Sequence, residues 1–343
     1  MTIILYIFFK YILMGCDMKK VLVLFGGNST EHYISCKSAK SIIENIDTKL
    51  FSYELAGIDF DNEWYKFNDD LSFLENGNWI KGKIFRIDNI IDYLRCFDVV
   101  FPITHGNNGE DGKLQGMLDL FNIRYVGTRT TGSVVGFDKS LSKLVFSNLG
   151  IPQVPYVVVN DKYSISSIIN KLKFPMIVKP CSGGSSIGIS KVCNKKELLK
   201  GIKNSLKYDN KVIIESFVNC RELECAVLGN RDFIISDLGE IKSSNDFYDY
   251  DAKYVQKSET IIPNDLPESV VEKIKEYAST IFRGMSIKDY SRIDFFYDEN
   301  NNCIYVNEIN TIPGFTTISM FPKLINHENI SYKDLISILI NNS

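Results

Sequence analysis

A chain of 343 residues is long enough for two or three domains with substantial cores. Its 45% hydrophobic and 24% charged content and formal net charge of -3 give no basic stripe for nucleic acid and no acidic tail, so any polyanion it binds is expected to be small and locally held. The eight cysteines form no CxxC pair and no Cys/His cluster, which argues against zinc and against a disulfide scaffold and for reduced thiols in the cytoplasm.

Residues 2–9 and 11–14 are apolar around Lys10, a stretch shorter than the ~20 residues of a membrane-spanning helix. Lys10 sits inside the apolar core rather than before it, as a signal peptide would need, and Leu13 to Cys16 only weakly resembles a lipoprotein site. Residues 1–17 are therefore expected to be an upstream extension rather than an anchor, with the first domain starting at Met18.

From Met18 the pattern is α/β. Residues 21–25 read as a buried strand running into Gly26-Gly27-Asn28, and residues 38–46 carry helical spacing, the strand-turn-helix opening of a doubly wound domain. The turn is not GxGxxG, which argues against a dinucleotide site. A second strand at 99–103 ends in a glycine-rich loop, Thr104 to Gly112, where open α/β sheets bind ligands, and a helix is expected over 113–121. A strand at 174–180 bears Lys179 and enters Cys181 to Gly188, a loop of small residues that is either a phosphate cradle or a flexible connection. Two more strands, 212–218 and 222–228, carry Glu215 and Glu222, which could accept hydrogen bonds from a nucleotide or equally be solvated strand-end charges. Near the C-terminus, Asp294 lies within an apolar run, while Glu308 and Asn310 alternate with Ile309 and so share one face of a strand. Three convergent oxygen ligands suit Mg2+, and Arg292, two residues from Asp294, adds a cation where phosphoryl charge would need neutralising; the alternative is a pair of strands with a solvated polar face.

In this order the pieces resemble the ATP-grasp family and, within it, the D-alanine-D-alanine ligases, from Met18 to about Ile340. The specific blocks are Phe25-Gly26-Gly27-Asn28-Ser29-Thr30-Glu31, His105-Gly106 with Glu110 to Gly116, Asp138-Lys139, Val178-Lys179-Pro180 with Gly184 to Gly188, Phe247 to Tyr254, Arg292-Ile293-Asp294, and Asn307 to Gly314. The resemblance implies a three-domain α/β (α+β) ATP-grasp fold: an N-terminal doubly wound domain over 18–138, a central domain over 139–226 and a C-terminal domain over 227–343 carrying the metal site. It implies that ATP converts one D-alanine carboxylate to an acyl phosphate, which the amine of a second D-alanine attacks, for peptidoglycan synthesis.

The same resemblance implies the residue roles. Lys139, Lys179 and Lys253 contact phosphates, Glu222 the ribose, and Glu215, Phe217 and Val218 the adenine side, while Asp294, Glu308 and Asn310 hold two Mg2+ or Mn2+ ions. Arg292 and the backbone N–H of Gly314 stabilise the tetrahedral oxyanion; Glu31 pairs with the first D-alanine's ammonium, and His105, Ser319 and Met320 lie near the second. Ser185 and Tyr254 join Glu31 to tie a closing loop, 247–259, over the site and exclude water. The resemblance also implies a homodimer with no membrane or nucleic-acid partner.

Tyr33, Cys36 and Cys181 depart from the family pattern, and none carries the chemistry. Two other readings remain. A resistance-type sibling joins D-alanine to D-serine or D-lactate, but Met320 stands where serine ligases carry arginine, and the tyrosine absent from lactate ligases is present as Tyr254. A non-catalytic nucleotide-binding module would have lost a metal ligand or a lysine, and none is missing.

Overall fold

The computed structural model describes residues 18–242 and 259–343. The apolar stretch before Met18 and most of the expected closing loop, with Lys253 and Tyr254, lie outside the described residues.

The N-terminal sheet comprises β1 (Lys19–Gly26), β2 (Phe51–Ile58), β3 (Trp64–Phe67), β4 (Ile84–Arg86) and β5 (Val99–Pro102), in the order β4-β3-β2-β1-β5. Strand β1 lies inside the sheet and pairs in parallel with β2 and β5. Its side chains alternate between two cores. Val21, Val23 and Phe25 pack with Cys36, Ala39 and Ile42 of the helix His32–Asn45, while Leu22 and Leu24 pack with Leu94, Leu114 and Leu118 on the opposite face. That two-sided burial is why the strand reads as an unbroken apolar run, and it makes the domain doubly wound as expected. The helix starts at His32, ahead of the apolar spacing that begins at Ser38, because its first turns bury polar side chains that hold the glycine turn. The Trp79 indole N–H donates to His32 Nε2 at 3.0 Å, His32 Nδ1 lies 2.8 Å from the Gly27 carbonyl, and Gly26 N–H donates to Ser35 Oγ at 2.7 Å. Gly26 itself has φ +84, and a Cβ there would lie 2.3 Å from the Ile58 carbonyl oxygen.

The central sheet, β6 (Tyr156–Val159), β7 (Met176–Pro180), β8 (Ser190–Val192) and β9 (Val212–Ser216), is antiparallel in the order β6-β9-β7-β8. Helices Ile165–Lys171 and Lys195–Ser205 cover one face, where Met176, Val178, Val212 and Ile214 are buried. By alternation the opposite face carries Ile177, Lys179 and Glu215.

The C-terminal sheet, β10 (Arg221–Gly229), β11 (Phe233–Lys242), β12 (Glu259–Ile261), β13 (Tyr290–Asp298) and β14 (Cys303–Asn310), runs antiparallel in the order β12-β11-β10-β13-β14. Leu223, Cys225, Ile293, Phe295 and Val306 bury against the helix Glu268–Gly284. The other face holds a transverse row of carboxylates, because Glu224 registers with Asp294 and Asp294 with Glu308. The next row places Arg292 opposite Asn310.

The C-terminal helices Met320–His327 and Tyr332–Asn342 return to the N-terminal sheet, so Phe321, Leu324, Leu335 and Leu339 share one core with Val21 and Phe101. Asp289 locks this joint next to β13. It is 1% exposed, accepts from Gly127 N–H at 2.7 Å and from the Asn230 amide at 2.7 Å, and its own N–H donates to Asn230 Oδ1 at 3.0 Å. Replacing it by alanine strands two buried donors, so Asp289→Ala is expected to lower unfolding stability by about 2–4 kcal/mol and Asp289→Asn by less than half of that, read from denaturant titration.

Candidate active site

Two cavities of about 700 and 340 Å3 lie between the polar faces of these sheets. The larger is walled by Lys179, Glu215, Phe217, Val218, Glu222 and Asp294; the smaller by Glu31, His105, Asn310, Gly314, Ser319 and Met320. Lys139, Ser185, Glu224, Arg292 and Glu308 line both, so the cavities meet along a strip of charge. Every described residue singled out from the sequence for a site role is thus on one continuous surface.

The cations come from two elements of the central region. Asp138 caps the helix Lys139–Asn148, accepting from Ser140 N–H at 2.9 Å, and pairs with Lys211, which fixes the position of Lys139. Lys139 Nζ donates to the Gly183 carbonyl at 2.8 Å and lies 3.3 Å from Glu308 Oε2. On β7, Lys179 Nζ lies 2.7 Å from Glu215 Oε2 and donates to Asn307 Oδ1 at 3.2 Å. The other oxygen of Glu215 is 2.7 Å from Lys143, a residue the sequence reading passed over, although it lies one helical turn from Lys139 on the same face. Burial alone would push the Glu215 carboxyl up, but the Lys143 and Lys179 ammonium groups outweigh it and hold the group at about 2.

Facing them, Arg292 grips Asp294 with two parallel bonds of 2.7 and 2.8 Å, and its Nε lies 3.1 Å from Glu224. The Asn310 amide donates to Asp294 Oδ2 at 3.0 Å. Arg292 is 9% exposed and Glu224 3%, so this is no solvated strand face. Glu224 is a second residue that sequence reasoning missed; its alternation with Glu222 on one strand was the available signal.

In the smaller cavity, Ser185 Oγ donates to Glu31 Oε1 at 2.7 Å. Two glycines make room for that carboxylate, since a Cβ at Gly184 or Gly106 would lie 2.6 or 2.9 Å from Glu31 Oε2. Ser185 and Ser186 hold left-handed φ values of 54 and 58, strain of the kind found in loops built for function. His105 is buried, with Nδ1 2.8 Å from the Ile312 carbonyl and Nε2 3.2 Å from Ser38 Oγ. Ser319 Oγ accepts from Thr316 N–H at 3.1 Å. Met320 is buried over Gly239, where a Cβ would come within 2.4 Å of its sulfur. Tyr33 lies across Gly77, and burial pushes the Cys36 and Cys181 thiols up to about 12, which leaves them chemically quiet.

Glu110 is a further residue whose part is visible only in the fold. Its oxygens accept from Gly106 N–H at 2.8 Å and Ile312 N–H at 2.9 Å, tying the glycine-rich loop to the segment after β14. Burial, then the neighbouring Glu31 carboxylate, push its carboxyl up to about 8. The folded protein therefore keeps a proton that the unfolded chain sheds near pH 4.5, so this group's contribution to stability is present in acid and is lost as pH rises through about 8. Glu110→Gln, which does not titrate, should accordingly gain stability relative to the parent between pH 5 and pH 8, read as the change in their Tm difference.

Residues 20–128 match the family model described as D-ala D-ala ligase N-terminus, and residues 145–341 the one described as D-ala D-ala ligase C-terminus. A D-alanine--D-alanine ligase of Acetivibrio thermocellus is 40% identical, covering 94% of this chain and 95% of that protein. One from Clostridium novyi is 43% identical over 94% and 97% respectively. Among solved structures, the VanG D-Ala:D-Ser ligase from Enterococcus faecalis superimposes with a TM-score of 0.86 at 33% identity, covering 95% of this chain and 99% of that one. The chain belongs to the D-alanine-D-alanine ligase family, whose fold is the ATP grasp.

Proposed function

We infer that this protein is an ATP-dependent ligase that joins two D-alanines through an acyl phosphate, giving D-alanyl-D-alanine for peptidoglycan synthesis. The observation that carries the reading is the charged strip where a nucleotide-sized cavity opens into an amino-acid-sized one. A carboxylate held in the smaller cavity and a γ-phosphoryl group reaching in from the larger would meet there between Lys139 and Arg292.

In this reading ATP lies with its adenine near Glu215, Phe217 and Val218, its ribose at Glu222 and its phosphates at Lys139 and Lys179, joined by Lys253. Glu31 takes the ammonium of the first D-alanine. The carboxylate oxygen of that D-alanine attacks the γ-phosphorus and ADP leaves. The second D-alanine, beside His105, Ser319 and Met320, gives up its ammonium proton to solvent, and its amine nitrogen attacks the acyl carbon and passes a further proton to the departing phosphate. Arg292 and Gly314 N–H stabilise the oxyanion that forms, and its collapse breaks the bond to phosphate. The Ser185–Glu31 bond, completed by Tyr254, would hold the site closed against water.

Asp294, Glu308 and Asn310 fit a hard divalent cation, since two carboxylates and an amide oxygen sit on paired strands beside the strip. Among the described residues no group of three or more His, Cys, Asp or Glu side chains is placed to hold a metal, so the set stands as two acids and one amide. Bound there, Mg2+ or Mn2+, as a pair, would neutralise phosphate charge.

The likeness to a D-Ala:D-Ser ligase keeps D-serine as the second reading for the acceptor. Against it, Met320 presents a buried thioether and offers a serine hydroxyl no strong partner. The domain division at 138 and 226 stays part of this reading; by its pairing β10 lies in the C-terminal sheet and crosses the second boundary. A homodimer is supported by Leu120, Val134 and Leu144, which stand 74%, 39% and 62% exposed on three consecutive helices that pack together. No helix among the described residues is long and apolar enough to cross a membrane, and we place the enzyme in the cytoplasm with its substrates.

Phosphate release with D-alanine alone, and with D-alanine plus D-serine or D-lactate, tests the reaction and its acceptor together. An unpaired hydroxyl costs about 1–3 kcal/mol, so mass spectrometry of the competition should show D-alanyl-D-alanine in roughly 5- to 150-fold excess over D-alanyl-D-serine. A mostly mixed product would remove the Met320 argument. Glu308→Gln should cut turnover roughly a hundredfold or more with the thermal transition retained; near-parental turnover would remove Glu308 from the metal set.

A further inference from the structure

Helix Lys139–Asn148 presents Lys139 and Lys143 on one face, yet only Lys139 lines a cavity. Lys143 reaches Glu215, behind the cavity lining, instead of the cavity itself. Its side chain is 1% exposed, its ammonium lies 2.7 Å from Glu215 Oε1, and the ring of Tyr156, which pairs with Glu215 across β6 and β9, closes over it at 5.2 Å. Lys179 occupies the other oxygen of the same carboxylate at 2.7 Å. Two amine groups thus share one carboxylate, all three nearly without solvent, and with both lysines protonated the cluster carries one net positive charge.

Without Lys143, the Lys179–Glu215 pair would be electrically closed. A phosphate approaching Lys179 would meet a dipole rather than a cation, and the attraction of a dipole falls off much faster with distance. Lys143 also cannot be replaced by solvent counter-ions at that depth, where screening is weak.

We propose that Lys143 is a positioning residue for nucleotide binding: by taking up the charge of Glu215 it leaves the Lys179 ammonium free to act as a full positive charge on the polyphosphate of ATP. The proposal rests on the reading of Lys179 as a phosphate ligand. It assigns Lys143 no contact with substrate.

Calorimetric titration of the full chain with ATP, ADP and adenosine in the presence of Mg2+ tests it, because a merely structural role would weaken all three alike. Lys143→Met is expected to weaken ATP about tenfold or more, ADP less, and adenosine hardly at all. Lys143→Arg should bind ATP as the parent does. The double variant Lys143→Met/Glu215→Gln, which restores one net positive charge, should recover most of the lost ratio of ATP to adenosine affinity. Should Lys143→Met prove too unstable to purify, Lys143→Gln, which keeps an N–H for Glu215 without the charge, carries the same comparison. An unchanged ATP to adenosine ratio in the neutral variants, or a double variant no better than the single one, overturns the proposal. Lys179→Met separates the two levels: if it leaves ATP affinity unchanged, the phosphate role of Lys179 itself fails; if it weakens ATP while the Lys143 variants do not, only the role of Lys143 fails.

Discussion

Opposed charge held out of water across the cleft between the central and C-terminal sheets is the constraint on which the rest of the structure depends. Lys139, Lys143 and Lys179 stand on one side, and Glu224, Asp294 and Glu308 run in a row on the other, with Arg292 among them. The buried ones, Lys143, Lys179, Glu224 and Arg292, are not stable alone at such depth, since stripping a carboxylate or a cation of its water costs several kcal/mol. They persist because each has a partner within about 3 Å. In the proposed reading those partners are provisional: Lys139 rests on Glu308, and Asp294 is held by Arg292 and Asn310, bonds that a polyphosphate and its cations would replace in kind.

The remainder of the molecule keeps the two rows in register. The antiparallel pairing of β10, β13 and β14 aligns the carboxylates, and the helix Glu268–Gly284 buries the reverse of that sheet so that alternate residues have no choice of face. The N-terminal domain closes one end. The loops that follow β1 and β5 carry Glu31 and His105, and Glu110 and Asp289 bind its loops to the segments that flank β13 and β14. The glycines at 106 and 184 leave room for the Glu31 carboxylate, so the smaller cavity exists by the lack of side chains as much as by their presence.

Much of this was legible in the residues. The apolar run at Val21 to Phe25 announces a strand buried on both sides, and the alternation at Glu308, Ile309 and Asn310 announces a one-sided polar face; both rest on local periodicity, which a sequence displays directly. What escaped notice depends on distant partners. Lys143 looks like any solvent-facing helix lysine until β9 places Glu215 beneath it. Glu110 looks like loop punctuation until the Ile312 N–H arrives from 202 residues away. The early start of the helix at His32 escaped for a related reason, since polar residues turned inward to hold a turn erase the apolar spacing that marks a helix.

D-Alanine labelled with 18O in its carboxylate tests the acyl-phosphate step most directly. If that carboxylate attacks the γ-phosphorus and is then displaced as phosphate, each phosphate released with a dipeptide carries one 18O atom from the first D-alanine, and the dipeptide's amide carbonyl keeps the other. Dipeptide formed alongside unlabelled phosphate would contradict it.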